Sequence, residues 1–183
     1  RSTLFPYTTL FRSRSIESKL TADATEPQPE TQTDAAAEKV IFGYLMRETS
    51  LKFQNDKPSN RAYYSPSEDK VVVPMPEQYD AIAEYYSTTF HELVHSTLKA
   101  SRCDREAENK ASFFGNHEYS REELVAEIGS AMLCSISGVE TKKSLKNSVA
   151  YIQSWIRSLK NDPKMIIWAS SRAEKAANYI FGN

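Results

Sequence analysis

The segment His91-Glu92-Leu93-Val94-His95 constrains the fold of this chain more than any other feature. Residues four apart in an α-helix lie on the same face one turn apart, so a helix through this segment brings both imidazoles to one point. Neutral imidazole is a good Zn²⁺ ligand, and a catalytic zinc typically takes three protein ligands and a water. Glu92 lies roughly 100° around the helix, where its carboxylate can accept a proton from that water. The segment therefore predicts a helix with a metal-binding face.

The other side of this helix is predicted to be buried. Phe90, Leu93, Val94 and Thr97 follow the i, i+3, i+4, i+7 spacing of an apolar helix face. The metal-binding helix should therefore pack against the rest of the domain.

A catalytic metal site needs a third ligand besides the two histidines. The candidates are Glu122, Glu123, Glu127, His117, Cys103 and Cys134. Thiolates are more usual in closed structural zinc sites, which argues against the cysteines. Glu123 and Glu127 are four apart on one face of a helix predicted over residues 120–137. A neighbouring helix of this kind offers one carboxylate to the metal, while the second orients an imidazole N–H from outside.

Glu123 also has a purely structural interpretation. Ser120 and Glu123 have the spacing of a capping box, in which the Glu123 carboxylate binds the backbone N–H of Ser120. Spacing alone leaves the ligand and the cap both open.

The remaining pattern predicts an α+β fold, with a small sheet beside several helices. Asp34 is a predicted N-cap for a first helix over residues 35–50. Turn residues separate three short strands. The strands are predicted over residues 51–54, 61–64 and 70–73, and the later helices over residues 78–98, 120–137, 144–160 and 163–181.

The composition excludes several classes of protein. Lys and Arg total 23 against 24 Asp and Glu, a net charge of −1, which gives no support to a nucleic-acid-coating or membrane-surface protein. No run approaches the roughly 20 apolar residues that span a bilayer. The two cysteines, Cys103 and Cys134, lie far apart and form no CxxC pair. We therefore expect a reducing, cytoplasmic compartment.

The N-terminal region is not expected to be part of the fold. Residues 3–13, TLFPYTTLFRS, look like the translation of a sequencing adapter, so we interpret residues 1–13 as an artefact and expect the true coding sequence to be truncated upstream. Residues 14–34 are rich in Thr, Glu, Gln, Asp and Pro and cannot offset their ordering entropy by burial. We expect a disordered linker over 14–34 and one folded domain over 35–183.

Several segments occur in a characteristic order along the folded part of the chain. They are residues 63–74, 85–97, 118–129 and 147–160, followed by an Ala-rich C-terminal helix. In this order they resemble the zincin-like metallopeptidase domain of ArdC-type antirestriction proteins, which also occurs in polyvalent proteins of phages and plasmids. The resemblance covers residues 35–181.

The resemblance implies a zincin-like site and raises the ligand interpretation of Glu123 above the capping one. It implies that His91, His95 and Glu123 bind Zn²⁺ or another divalent metal such as Mn²⁺. Glu92 would act as the catalytic base, and Glu127 would support the site from outside.

The same resemblance implies a zinc-dependent metallopeptidase that hydrolyses a peptide or protein substrate. The alternative is a non-catalytic, metal-stabilised antirestriction module. In either case single-stranded DNA would be bound only through an upstream domain that this sequence lacks, and no membrane would be involved.

A peptidase also needs a donor for the oxyanion of its transition state. Tyr64, Tyr119 and His117 are the candidates, and the sequence does not choose among them.

Overall fold

The computed structural model describes residues 34–105, 116–139 and 162–182 and, for residues 116–120, the backbone alone. Four α-helices and a three-stranded sheet make up this part of the chain, so the predicted α+β fold is confirmed. The predicted helix over residues 144–160 and the predicted N-terminal segments up to residue 33 lie outside the described residues. Within the described ranges, no helix has the length and apolar character needed to cross a bilayer.

The first helix, α1, spans Ala35–Arg47 and begins where its N-cap was predicted. The Asp34 carboxylate accepts hydrogen bonds from the backbone N–H groups of Ala36 and Ala37, which satisfies two donors that have no partner inside the helix. The helix ends three residues earlier than predicted. The hydroxyl of Tyr86 accepts a hydrogen bond from the Asp34 N–H and so joins the start of α1 to the second helix.

The three strands are short and form one mixed sheet. They are β1 (Lys52–Gln54), β2 (Tyr63–Ser65) and β3 (Lys70–Val72), in the order β1-β3-β2. The β1–β3 pair is parallel and the β2–β3 pair is antiparallel. All three predicted strands are present, shifted by one or two residues at their ends.

The helix that carries the HELVH segment, α2, spans Ile82–Ser96 and is shorter than predicted at both ends. It is preceded by a 3₁₀ helix over Pro76–Gln78, which ends at Tyr79, where the backbone is extended. Its predicted apolar side is buried, and so is nearly every residue from Tyr85 onward. The helix therefore runs through the interior of the domain.

Two further helices enclose α2. They are α3 (Asn116–Ser137) and α4 (Lys164–Phe181), and α3 packs against both α2 and α4. The predicted start of α3 was Ser120, one turn later than observed. Gly129 of α3 lies directly against α2, where an added Cβ would come within 2.9 Å of a Val94 methyl carbon. The missing side chain at Gly129 thus permits the close approach of the two helices.

Gly129→Ala should destabilise the domain although alanine is the better helix former. The methyl group must displace the stiff, branched side chain of Val94, at a cost of about 1–3 kcal/mol, against a helix-propensity gain of about 1 kcal/mol. We expect a net loss of up to about 2 kcal/mol in the free energy of unfolding, measured by urea denaturation. Gly43→Ala in α1 is the matched control, because its added Cβ meets only Arg47 at 3.6 Å. A Gly129→Ala protein as stable as the Gly43→Ala protein would contradict this packing.

Candidate metal centre

The two histidines of the motif lie side by side inside the protein. His91 and His95 are each 1% exposed, and their Nε2 atoms are 3.1 Å apart. The rings stand edge to face at an interplanar angle of 78°. The helix thus brings both Nε2 atoms to one point, as the four-residue spacing predicts.

Glu123 of α3 completes a triangle of donor atoms with these two rings. Its Oε1 lies 3.4 Å from the Nε2 atom of His95, and its Oε2 lies 3.6 Å from the Nε2 atom of His91. These three residues form a buried group whose donor atoms could hold one metal ion. Zinc–nitrogen bonds of about 2.0–2.1 Å in a tetrahedral site would separate two ligand atoms by about 3.3 Å. The donor set therefore has the residue types and the spacing of a metal site.

The capping-box interpretation of Glu123 is wrong. Helix α3 already begins at Asn116, so Ser120 lies one turn inside the helix and is not its N-cap. A backbone N–H at that depth lies within reach of an intrahelical carbonyl. The Glu123 carboxylate faces the imidazoles of α2 instead.

The outer nitrogen of each imidazole faces a different carboxylate. Oε1 of Glu127 is 3.7 Å from Nδ1 of His91, and Oε1 of Glu122 is 3.4 Å from Nδ1 of His95. A carboxylate beside Nδ1 favours the tautomer with its proton on that nitrogen, which leaves the Nε2 lone pair available to a metal. The outer position of Glu127 was expected, whereas that of Glu122 was not, since it was only one of several candidate ligands.

Arg105 holds Glu122, and nothing in the sequence pattern indicated this pair. The guanidinium donates to both carboxylate oxygens of Glu122, at 3.1 and 2.7 Å. Arg105 belongs to the segment that follows α2, which carries no metal-ligand spacing. The candidate ligands Cys103 and Cys134 are buried free thiols and are not in the donor group. The side chain of His117 lies outside the described residues.

Glu92 is completely buried beside the histidines. Its negative charge is one of the influences that raise the pKa of His95. It has the same effect on Tyr79, whose pKa is raised mainly by burial and is partly lowered by Thr88. The hydroxyl of Tyr79 is thus a buried polar group near the Glu92 side of α2 that no sequence motif indicated.

The charges around the imidazoles favour a cation at this point. Burial would lower the pKa of His95, but the carboxylates, Glu123 first, raise it to about 10. The same balance raises the pKa of His91. Burial would raise the pKa of Glu123, but the imidazoles hold this pKa far below its usual range. The pKa of Glu122 is lowered to about 2, and Arg105 contributes most to that lowering.

The formal charge of the cluster points in the same direction. Four carboxylates surround the rings, and Arg105 is the cation paired with one of them. With the imidazoles neutral, as they must be to bind a metal, and the carboxylates ionised, the formal sum is 1 − 4, or −3. Uncompensated buried charge is costly, and a divalent cation would remove most of this excess. The chemistry of the donor set thus fits a metal ion.

A second buried network fixes the C-terminal end of α2. The Arg102 guanidinium donates to the Ser96 carbonyl, to both carboxylate oxygens of Asp69 and to Glu48. The Tyr64 hydroxyl also donates to Asp69, at 3.0 Å. The Tyr64 hydroxyl thus already donates to Asp69, which argues against its use as an oxyanion donor. The side chain of Tyr119 lies outside the described residues.

The fold and the donor set together define a zincin-like domain. The sequence matches the zincin-like metallopeptidase family over residues 42–172, and the chain belongs to this family. Two DNA primase TraC proteins of Escherichia coli are 37% and 38% identical over 121 residues, which are 66% of this chain but only 8% and 11% of theirs. The uncharacterized protein y4eC of Sinorhizobium fredii is 31% identical over 121 residues, which are 38% of its length.

The antirestriction ArdC protein from the R388 plasmid is similar in structure. Its Mn(II)-bound crystal structure superposes with a TM-score of 0.63 and 33% sequence identity, covering 85% of this chain and 54% of ArdC. The metal-free structure gives a TM-score of 0.61 and covers 84% and 52%. The chain therefore spans about half of the solved relative and smaller parts of the curated ones.

Asp69→Asn should destabilise the domain in a pH-dependent manner. Burial alone would raise the pKa of Asp69, but hydrogen bonds from Arg102, Lys99 and Tyr64 hold it well below its usual range. Such a carboxylate stabilises the fold above its unfolded pKa of about 4, and this stability is lost as the pH falls through the folded pKa. At pH 7 we expect a loss of about 3–5 kcal/mol, because Arg102 is left partly unpaired.

The test compares urea unfolding of wild type and Asp69→Asn, both without metal, from pH 7 to pH 3. The difference between them should narrow below about pH 4. Asp56→Asn, at an exposed position, is the control and should change stability by less than about 0.5 kcal/mol. A difference that stays constant down to pH 3 would show that the Asp69 charge does not stabilise the fold.

Proposed function

We propose that this domain is a zinc-dependent peptidase of an antirestriction-type protein, with His91, His95 and Glu123 as its metal ligands. The proposal rests on the buried group of two imidazole nitrogens, 3.1 Å apart, and one carboxylate whose two oxygens lie 3.4 and 3.6 Å from them. Two histidines and one glutamate form a set of protein ligands used by catalytic zinc in peptidases. The antirestriction context is supported by the similarity to ArdC.

Zinc is the metal that we propose, although the solved ArdC structure contains Mn(II). Imidazole ligands suit zinc, and a given site binds Zn²⁺ more tightly than Mn²⁺ in the usual order of divalent affinities. When bound, the cation would act as a Lewis acid toward the attacking water and the substrate carbonyl.

Glu92 is the proposed general base. Its buried carboxylate would take a proton from the water that attacks the carbonyl carbon and deliver it to the leaving amine as the C–N bond breaks. Glu127 would orient His91 through Nδ1. The proposed substrate is a peptide or protein, and single-stranded DNA would be bound by another part of the full-length protein.

Glu92→Gln should abolish cleavage and preserve the metal. The amide keeps the shape of the side chain but cannot accept the proton, so we expect the rate to fall by a factor of about 10²–10⁴. The measurement is hydrolysis of labelled casein and of a mixed peptide library, with metal content determined on the same samples. Glu84→Gln, two turns earlier on α2, is the control and should cleave like wild type. Undiminished cleavage by the Glu92→Gln protein would refute the role of Glu92.

Glu123→Ala should lose most of the metal that wild type holds. Wild type is expected to bind one zinc per chain, and removal of one of three protein ligands leaves only the imidazole pair. Elemental analysis after dialysis against limiting zinc measures the stoichiometry. Glu127→Ala is the graded comparison, because loss of an outer partner costs about 10–100-fold in affinity without removing a ligand. Equal zinc content in Glu123→Ala and wild type would contradict the assignment.

A non-catalytic metal-stabilised antirestriction module is the second candidate, and the burial of the site favours it. His91, Glu92, His95 and Glu123 are all 3% exposed or less. A closed metal site stabilises a fold by the free energy of metal binding. Under this function Glu92→Gln would leave antirestriction unchanged, whereas His91→Ala would remove the metal and lower the melting temperature.

A further inference from the structure

Arg105, in the segment that follows α2, contacts a carboxylate beside the proposed metal centre. We propose that Arg105 and Glu122 are positioning residues, which together hold the His95 ring in the orientation that presents Nε2 to the metal. This inference rests on the metal site proposed above. It does not depend on peptide hydrolysis, and it adds two residues that bind neither the metal nor a substrate.

Arg105 joins three parts of the structure through one buried guanidinium. It donates to the Val94 carbonyl at 3.1 Å and to the Thr97 hydroxyl at 2.9 Å, both at the C-terminal end of α2. It also donates twice to Glu122 of α3. A cation at a helix C-terminus is favourable, and a planar guanidinium that binds both oxygens fixes the carboxylate in direction as well as in distance. The end of α2 therefore determines where the Glu122 carboxylate lies.

The Glu122 carboxylate in turn orients the imidazole of His95. Its side chain is 1% exposed, and its Oε1 lies 3.4 Å from the His95 Nδ1 atom while also accepting from Arg105 at 2.7 Å. Because Arg105 engages both carboxylate oxygens, Glu122 remains outside the donor triangle. Glu123, the next residue, has its oxygens directed toward the Nε2 atoms. Arg105 thus separates the roles of two adjacent glutamates.

The outer carboxylates hold the two imidazoles unequally. Metal affinity should therefore depend more on the partner of His95 than on the partner of His91. The Glu127 side chain that faces His91 is 25% exposed and lies 3.7 Å away, so water competes with it. Glu122, by contrast, is buried and held by two hydrogen bonds from Arg105. Outer partners of metal-bound histidines typically contribute 10–100-fold to metal affinity. We expect most of this contribution to metal affinity to come from the partner of His95.

Arg102 provides a matched control on the same helix end. It is also buried, binds a carboxylate through two hydrogen bonds and donates to a backbone carbonyl of α2, that of Ser96. Its carboxylate partners, Asp69 and Glu48, belong to the sheet side and the end of α1. A purely structural effect should appear with either arginine, whereas an effect through His95 should appear with Arg105 alone.

The experiment measures the zinc dissociation constant of the full chain by competition with a chromophoric chelator. Glu122→Gln and Arg105→Gln should each weaken zinc binding by about 10–100-fold. The double variant should bind about as weakly as either single variant, because the two residues act as one unit. Arg105→Lys should recover part of the affinity. Arg102→Gln should lower the melting temperature of the metal-free protein and leave the zinc affinity within about threefold of wild type.

Different results separate the failure of this inference from the failure of the proposed function. Zinc binding that responds equally to Arg105→Gln and Arg102→Gln, or additive losses in the double variant, would overturn the positioning role while leaving the metal site intact. Weakened zinc binding in the Arg105 and Glu122 variants would support it even for a wild type that cleaves no peptide. A wild type that binds no zinc would overturn both proposals. Glu122→Gln is nearly isosteric and keeps the test decisive should Arg105→Gln fail to fold.

Discussion

The close packing of α3 on α2 is the contact on which the rest of the site depends. Gly129 removes the side chain that would separate the helices at Val94, one residue before His95 in the motif. Since Gly129 and Glu123 belong to the same helix, the distance between helices at the glycine also sets the distance from the carboxylate to the imidazoles. A wider separation would leave two histidines on α2 without a third donor.

This packing places many charges in the interior, and the sequence compensates them at the end of α2. Arg102 and Arg105 both lie in the segment that follows the helix, and both donate to its last carbonyls. Each also neutralises a buried carboxylate, Asp69 in one case and Glu122 in the other. Neither arginine could be buried alone, because an unpaired charge in the interior costs several kcal/mol. Both networks thus hold the C-terminal end of α2, but only the Arg105–Glu122 network reaches an imidazole of the HELVH segment.

Local chemistry made several features predictable from the sequence. The Asp34 cap, the three strands and the helical course of the HELVH segment depend on neighbouring residues, and the structure has all of them. The proximity of Glu123 to the histidines could be anticipated only as one of several options. Which glutamate faces the histidines depends on the rotation of α3 relative to α2. The residue spacing within one helix gives no information about that rotation.

The features that sequence reasoning missed are long-range polar contacts. The bond between Arg105 and Glu122 joins residues 17 apart, and that between Arg102 and Asp69 joins residues 33 apart. The Tyr64 hydroxyl was available as an oxyanion donor in the sequence, but the fold places it on Asp69. Residue spacing alone could not separate a capping role of Glu123 from a ligand role, and the structure rules out the cap because the helix begins one turn before Ser120. Such contacts follow from the packing of elements, and periodicity does not encode them.

An anomalous-difference map at the zinc edge, from crystals of the zinc-loaded protein, would locate the metal relative to the two histidines and Glu123. We expect one strong peak at about 2.0–2.2 Å from Nε2 of His91, Nε2 of His95 and a carboxylate oxygen of Glu123. Glu122 should remain bound to Arg105 in the same map. A peak coordinated by Glu122 in place of Glu123, or zinc bound away from the two histidines, would contradict this expectation.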